Sequence, residues 1–155
     1  MIGKYAAFLA KIGEHDEAEA IFETALKMDE SDVTNLRAYG NLLADTGDDQ
    51  GAEATLSKAL SLAPDDPACL GDLAEFYSSI EDTRAEELFK AAVSVKEPNS
   101  THMTNYANFL QTQEKTGEAR KMFERALKLD SENPKVIGDY AMFLEDVDEK
   151  AAAEV

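Results

Sequence analysis

The chain of 155 residues repeats one pattern about every 34 positions. Aromatic or aliphatic anchors recur at intervals of 34, 34, 33 and 34 residues, at Tyr5, Tyr39, Leu73, Tyr106 and Tyr140. Between them lies a second block of the form Ala-x3-Phe/Leu-x2-Ala, which begins at Ala18, Ala52, Ala85 and Ala119. A fixed period in this range is the sequence signature of stacked repeat units. The fold must therefore accommodate four full units and most of a fifth.

Each unit has the pattern of two helices. In the second unit, Leu36, Tyr39, Gly40 and Leu43 fall at i, i+3, i+4 and i+7, which is one face of an α-helix. Gly47 marks a turn after this helix, and Asp66-Pro67 and Asn133-Pro134 combine a capping side chain with a proline suited to a first helical turn. The sequence predicts one all-α array over residues 1–155, with units at 1–32, 33–66, 67–99, 100–133 and a partial, capping unit at 134–155.

These motifs resemble the tetratricopeptide repeat family. The small residue of its first helix, the Ala-x3-Phe and following Ala of its second helix, and its terminal proline correspond to Gly40, Ala52, Leu56, Ala59 and Pro64. The resemblance implies an α-solenoid of antiparallel helix-turn-helix repeats that form a right-handed superhelix. The chain lacks the tryptophan of the family signature, and its third unit is one residue short. Half-a-TPR repeats of RNA-processing scaffolds are the nearest alternative, on residues 105–110 and 119–127.

The aromatic residues follow the same period. All five tyrosines and all seven phenylalanines, Tyr5 and Phe8 included, fall in recurring positions of the repeat. We therefore expect all twelve to pack between helices. A base-stacking platform would need surplus aromatic residues in a basic groove, and the sequence predicts neither.

The charge of the chain limits its partners. Fifteen basic residues against 32 acidic ones give a net charge of −17, which disfavours direct binding to nucleic acid or to an anionic membrane. A protein or peptide of basic or mixed charge is the expected partner. No apolar run is long enough for a transmembrane helix, and one cysteine cannot form an internal disulfide. These features favour an intracellular, cytoplasmic protein.

The residues that could carry chemistry are few. His15 is predicted to lie in a turn and His102 near the start of a helix, both solvated, and Cys69 is predicted to be a buried or half-buried thiol. No phosphate-binding loop, serine elbow or metal motif is present in the sequence. We therefore expect no enzyme activity, no metal and no cofactor.

The resemblance also implies a binding surface, because first helices line the concave face in this family. Removing the packing stripe from each first helix leaves candidate peptide- or partner-binding residues at Lys4, Lys11, Arg37, Asn41, Glu75, Asn105, Asn108, Lys135 and Asp139. Amides both donate and accept hydrogen bonds, so Asn41, Asn105 and Asn108 could pair with an extended peptide, or they could be simply exposed polar residues. Some relatives clamp a terminal carboxylate. In this chain Glu75 and Asp139 would repel it, so no such clamp is predicted.

The sequence thus predicts a non-enzymatic module or scaffold that binds a peptide or helix of a partner. Two alternatives stay open. One is a self-assembling structural repeat that forms homo-oligomers through its ends, since repeat arrays generally need polar caps. The other is a half-a-TPR scaffold of RNA processing that acts through protein contacts.

Overall fold

The computed structural model describes residues 2–153, and that part of the chain contains nine α-helices and no β-strand. The helices are α1 (Ile2–Lys11), α2 (His15–Met28), α3 (Val33–Thr46), α4 (Asp49–Leu62), α5 (Pro67–Ser79), α6 (Ala85–Ser94), α7 (Ser100–Thr112), α8 (Thr116–Leu129) and α9 (Pro134–Ala153). Odd-numbered helices are the first helices of the units, and even-numbered helices are the second helices.

The ends of the helices follow from local side-chain chemistry. Five first turns are capped by side chains that accept a hydrogen bond from a backbone N–H, at Asp32, Asp48, Asp66, Asn99 and Asn133. As predicted, α5 and α9 begin at Pro67 and Pro134. Gly47 ends α3 in the left-handed conformation with φ 85°, which glycine adopts without steric cost.

The helices stack in a regular order. Each second helix packs against the first helix of its own unit and against the first helix of the next. Consecutive first helices are also in contact, whereas within residues 2–153 no two second helices pack against each other. First helices are therefore closer together than second helices, which places them on the inner side of a curved stack. The predicted all-α solenoid of helix pairs is confirmed.

Aromatic stacking joins each unit to the next. Phe22, Phe89 and Phe123 are buried on second helices, and each stacks on the tyrosine of the following first helix, with ring centroids 5.8, 5.8 and 5.3 Å apart. The small residue of the first helix is buried where the two helices of a unit cross. A Cβ added at Gly40 would lie 2.6 Å from Cγ of Leu56.

The prediction that all twelve aromatic residues pack between helices is wrong for two of them. Tyr5 and Phe8 on α1 are 51% and 56% exposed, whereas Leu42, which occupies the position of Phe8 in the next unit, is 4% exposed. The physical reason is the repeat order itself. These positions pack on the second helix of the preceding unit, and within residues 2–153 only α2 and α3 contact α1.

The structure also shows the surroundings of the two histidines and the cysteine. His15 begins α2 instead of lying in a turn and is partly buried. His102 is half-buried against Gly71, and its buried Nδ1 has no hydrogen-bond partner among the described residues, so the prediction of a solvated side chain is wrong. The prediction of a buried thiol is confirmed. Burial, together with a hydrogen bond from Sγ to Asp66, raises the pKa of Cys69 to about 12.

Candidate functional site

A series of polar contacts joins neighbouring first helices on the inner side of the stack. We call this set the inner polar ladder, and its members are Arg37–Asp72, Asn105–Glu75, Asn108–Asp139 and Gln111–Asp146. Each contact links a first helix to the next one, about one repeat along the chain. The first helices are therefore held in register by side chains as well as by the apolar core.

The ladder begins with an ion pair. The Nε of Arg37 on α3 donates to Oδ2 of Asp72 on α5 at 2.6 Å. Burial alone would lower the pKa of the guanidinium, but the hydrogen bond to Asp72 reverses that effect and raises it. Arg37 is therefore already paired with Asp72 within the chain.

The middle of the ladder contains a carboxyl group without a basic hydrogen-bond partner. The amide of Asn105 donates to Oε1 of Glu75. Although the Glu75 side chain is exposed, the packing of protein around its carboxyl group removes some of the surrounding water and raises its pKa, and repulsion by Asp72 adds to the increase, whereas the hydrogen bond from Asn105 and the charge of Lys135 oppose it. A cation brought to this position would offset both effects by favouring the ionised carboxylate.

In the last part of the ladder, a lysine of the same chain balances the charge of Asp139. Asp139 accepts from Nδ2 of Asn108 at 2.9 Å and from Nζ of Lys135 at 2.8 Å. Partial burial opposes ionisation, but these two hydrogen bonds keep the pKa of Asp139 below its usual value. Lys135 thus forms an ion pair with Asp139, one turn away on the same helix.

A pocket of about 310 Å³ lies beside the middle of the ladder, between α5 and α7. It is lined by Glu75, Ser78, Ser79, Phe89, Asn105, Asn108, Phe109 and Thr112. The wall is a mixture of one carboxylate, amides, hydroxyls and two aromatic rings. Such a lining can bind an apolar side chain while pairing with polar groups around it.

A second cavity of about 570 Å³ continues the first toward the turns. The two share Ser78, Phe109 and Thr112, so they form one groove. The added wall contains Glu81, Asp82 and Glu86. Lys115 and Lys90 hold the pKa of Glu86 below its usual value, and Arg84 lowers that of Asp82 to about 2. We call the two cavities together the inner groove, and three carboxylates lie along its outer part.

The structure separates the nine sequence-predicted residues into groups. Glu75, Asn105 and Asn108 line one pocket, and Lys135 and Asp139 lie next to it on α9. Arg37 is paired within the ladder, Asn41 is exposed on α3, and Lys4 and Lys11 are exposed on α1. Lys4, Lys11 and Arg37, the cationic residues that come first in the predicted set, are therefore distant along the stack from the pocket.

Sequence reasoning missed the aromatic floor of the groove. Phe109 was assigned to packing, and the structure shows that it is only partly buried and lines both cavities. Phe76, which occupies the same position one unit earlier, is 4% exposed. The repeat pattern gives both residues the same signal, so the sequence could not distinguish them.

Stacked helix pairs, first helices on the inner side and a polar groove between them define a helical-repeat protein of the α-solenoid class. Models of the tetratricopeptide repeat match residues 9–71 and 103–133. The chain belongs to the tetratricopeptide repeat family.

Known proteins are similar to this chain in sequence and in fold. A TPR repeat-containing protein of Dictyostelium discoideum is 26% identical over 120 residues, which is 72% of this chain and 46% of that protein. The chain thus spans about half the length of this curated relative.

Solved structures show the same fold at low identity. PilF of Pseudomonas aeruginosa matches with a TM-score of 0.79 at 19% identity, covering 99% of this chain and 70% of that one. A human IFIT1 dimer with PPP-AAAA matches with a TM-score of 0.85 at 18%, covering 99% and 39%. YrrB, described as a TPR protein with an unusual peptide-binding site, matches with a TM-score of 0.62 at 18%, covering 94% and 75%. At these identities the likeness establishes the fold alone.

Two kinds of feature are absent from the described residues. None of the helices within residues 2–153 combines the length and the apolar character that crossing a membrane requires. In the same part of the chain, no three or more His, Cys, Asp or Glu side chains are grouped so that they could hold a metal ion.

Proposed function

We propose that this protein is a non-enzymatic interaction module that binds an extended peptide segment of a partner protein in the inner groove. The single observation that carries this proposal is the groove itself, where Glu75, Asn105 and Asn108 surround a pocket with an aromatic floor. Family membership supports an interaction role.

The amides supply the contacts to a peptide backbone. An asparagine side chain has two N–H groups and an accepting carbonyl oxygen. One N–H of Asn105 donates a hydrogen bond to Glu75, and one N–H of Asn108 donates a hydrogen bond to Asp139. The other N–H and the carbonyl oxygen of each amide can pair with the C=O and N–H groups of an extended chain. The ladder thus holds the amides in place and leaves each of them one donor and one acceptor for a ligand.

The carboxylates supply the charge preference. Glu75 has only a neutral amide as hydrogen-bond partner, and Glu81 lies on the outer wall of the same groove. A lysine or arginine of the ligand that reached Glu75 would stabilise the ionised form of this carboxyl group, whose pKa is raised in the free chain. Phe89 and Phe109 would contact an adjacent apolar side chain. The preferred segment is therefore basic or of mixed charge, and a terminal carboxylate is disfavoured by Glu75.

We infer an intracellular location from the cysteine content, because Cys69 is the single cysteine of the sequence and it is buried, so the fold uses no internal disulfide. Cytoplasmic action on a soluble partner is part of the same proposal.

Selection of a random peptide library on the immobilised chain, followed by titration of the enriched peptides by fluorescence anisotropy, tests this proposal. We expect enrichment of segments that carry Lys or Arg next to an apolar residue. Glu75→Gln should weaken binding of the selected peptides about threefold to fivefold, as expected for the loss of one solvent-accessible ionic contact. The matched control is Glu87→Gln, which removes the same charge from an exposed position on α6.

The pattern of effects decides the outcome. Equal binding by the parent chain, Glu75→Gln and the double variant Asn105→Ala/Asn108→Ala would refute the groove as the binding site. Enrichment of acidic peptides would refute the charge preference.

A further inference from the structure

One face of α1 is apolar and exposed. Ile2, Tyr5 and Phe8 on α1, with Ile12 directly after it, are 41%, 51%, 56% and 57% exposed. We call these four side chains the α1 face. Phe8 also lies outside the apolar cluster in which Ala6 and Leu9 pack against Phe22 of α2. A contiguous exposed set of large apolar side chains on an otherwise acidic protein indicates an interaction surface.

The repeats show what covers this face elsewhere in the same molecule. Tyr39 and Leu42 occupy the positions of Tyr5 and Phe8 one unit later, and they pack against Phe22 of α2. Tyr106 and Tyr140 stack in the same way on Phe89 and Phe123. At three interfaces between units, the phenylalanine of a second helix thus stacks on the tyrosine that is equivalent to Tyr5.

A polar contact accompanies the stacking. The hydroxyl of Tyr39 donates to Oε1 of Glu19, three residues before Phe22, at 3.2 Å. Burial and the nearby Glu19 carboxylate raise the pKa of Tyr39 to about 12. The α2 helix therefore provides both a stacking partner for the ring of Tyr39 and a hydrogen-bond acceptor for its hydroxyl.

The covering helices share a sequence signature. The α2 helix carries Ala18-Glu19-x2-Phe22-x2-Ala25, and α6 repeats it from Ala85 to Ala92. In α4 a leucine replaces the phenylalanine, and in α8 an arginine replaces the glutamate. The alanines are buried in each of these helices, because the first helix lies close to them.

Charge distinguishes among these helices as models for an occupant of the α1 face. The α1 helix has two lysines, Lys4 and Lys11, and no acidic residue. The α2 sequence has four acidic residues and one lysine, whereas the α8 sequence has a positive balance. An acidic helix of the α2 type complements the lysines of α1.

We propose that the α1 face binds an amphipathic helix of a partner protein that carries an acidic Ala-Glu-x2-Phe-x2-Ala surface. This interface is separate from the inner groove, and it is an addition to the proposed peptide-binding function. The aromatic residue of the partner helix stacks on Tyr5 and contacts Phe8, and its glutamate accepts a hydrogen bond from the Tyr5 hydroxyl.

The test uses a peptide with the sequence of residues 15–28 as the probe, labelled and titrated with the whole chain. We expect saturable binding, and the probe with Phe22→Ala should bind about tenfold more weakly because it lacks the stacking ring. The residue 116–129 peptide should bind more weakly than the residue 15–28 peptide at low salt, since its charge is repelled by Lys4 and Lys11.

Variants of the chain identify the surface. Phe8→Glu should reduce binding of the probe about tenfold, and its exposure lets the chain fold. The matched control Met142→Glu changes an equally exposed apolar residue, 61% exposed, on α9 and should have no effect. Glu75→Gln should also leave probe binding unchanged, which separates failure of this proposal from failure of the groove proposal.

Three results would overturn the inference. One is absence of probe binding. Another is probe binding that Phe8→Glu does not weaken, which would mean that the probe exchanges with α2 in the core. The third is a concentration-dependent mass by light scattering that Phe8→Glu abolishes, since the α1 face would then be covered by a second copy of this chain.

Discussion

Replacing Phe22 by alanine tests the stacking that joins the first two units. Phe22 is completely buried, contacts α1 and α3 together, and stacks on Tyr39 at 5.8 Å. Its removal leaves a cavity at the junction of three helices. The matched change is Phe8→Ala on α1, where the same residue type in the same repeat is 56% exposed.

The two substitutions should differ several-fold in their cost. Removal of a fully buried phenylalanine destabilises a protein by about 3–5 kcal/mol, which includes the cavity. A little under half of the Phe8 surface is buried, so by area its removal costs about 1 kcal/mol. The higher helix propensity of alanine offsets about 0.5 kcal/mol at both positions. The expected losses are therefore about 2.5–4.5 kcal/mol for Phe22→Ala and under about 1 kcal/mol for Phe8→Ala.

Urea unfolding followed by far-ultraviolet circular dichroism measures these free energies. Native-state hydrogen exchange should accompany it, because a repeat array can open unit by unit and the loss should be concentrated in α1 to α3. Phe22→Leu is the control for cavity size. The chain already uses a buried leucine in this position at Leu56, so we expect a loss under about 1.5 kcal/mol. Equal losses for Phe22→Ala and Phe8→Ala would show that burial does not set the cost of removing these rings.

The other stability predictions concern a pair of glycines and one histidine. Gly40→Ala should destabilise the chain by about 1–2 kcal/mol in urea unfolding, because the new Cβ would lie 2.6 Å from Leu56, whereas Gly138→Ala, with nothing within 4 Å, should stabilise α9 by up to about 1 kcal/mol. A stabilising Gly40→Ala would contradict the close approach of α3 and α4. Burial lowers the pKa of His102, although the carboxylates of Asp66 and Asp72 oppose it and Arg37 adds to it. The unfolded state therefore binds more protons than the folded state as the pH falls through about 6.5, and stability declines. His102→Gln should reduce the difference in unfolding free energy between about pH 7.5 and about pH 5.5, and an unchanged difference would show that His102 does not contribute to it.

Much of the fold could be predicted from local patterns. The spacing of Tyr39, Gly40 and Leu43 identified a helix face, and the proline at position 67 marked the start of α5. These signals depend on residues within a turn or two of one another, so the sequence contains them directly. The period of the repeat then supplied the order of the helices, because each unit repeats one local design.

The candidate site was only partly predictable. Subtracting the packing stripe identified Glu75, Asn105 and Asn108 as inner-face residues, and all three line the pocket. Whether such a side chain is free or already paired depends on the helix opposite, one repeat away in sequence. The sequence therefore did not reveal that Arg37 pairs with Asp72 or that Phe109 lines the pocket, because both depend on a helix about one repeat away.

The sequence by itself determined the helices, their caps, the small residues at the crossings and the stacking order, because a 34-residue period places equivalent residues in equivalent local surroundings. Only the tertiary structure decided what differs between equivalent positions. Tyr5 and Tyr39 have the same place in the repeat, but Tyr39 stacks on Phe22 while Tyr5 is half exposed. Burial depends on which helix lies against a residue, and that neighbour belongs to another unit.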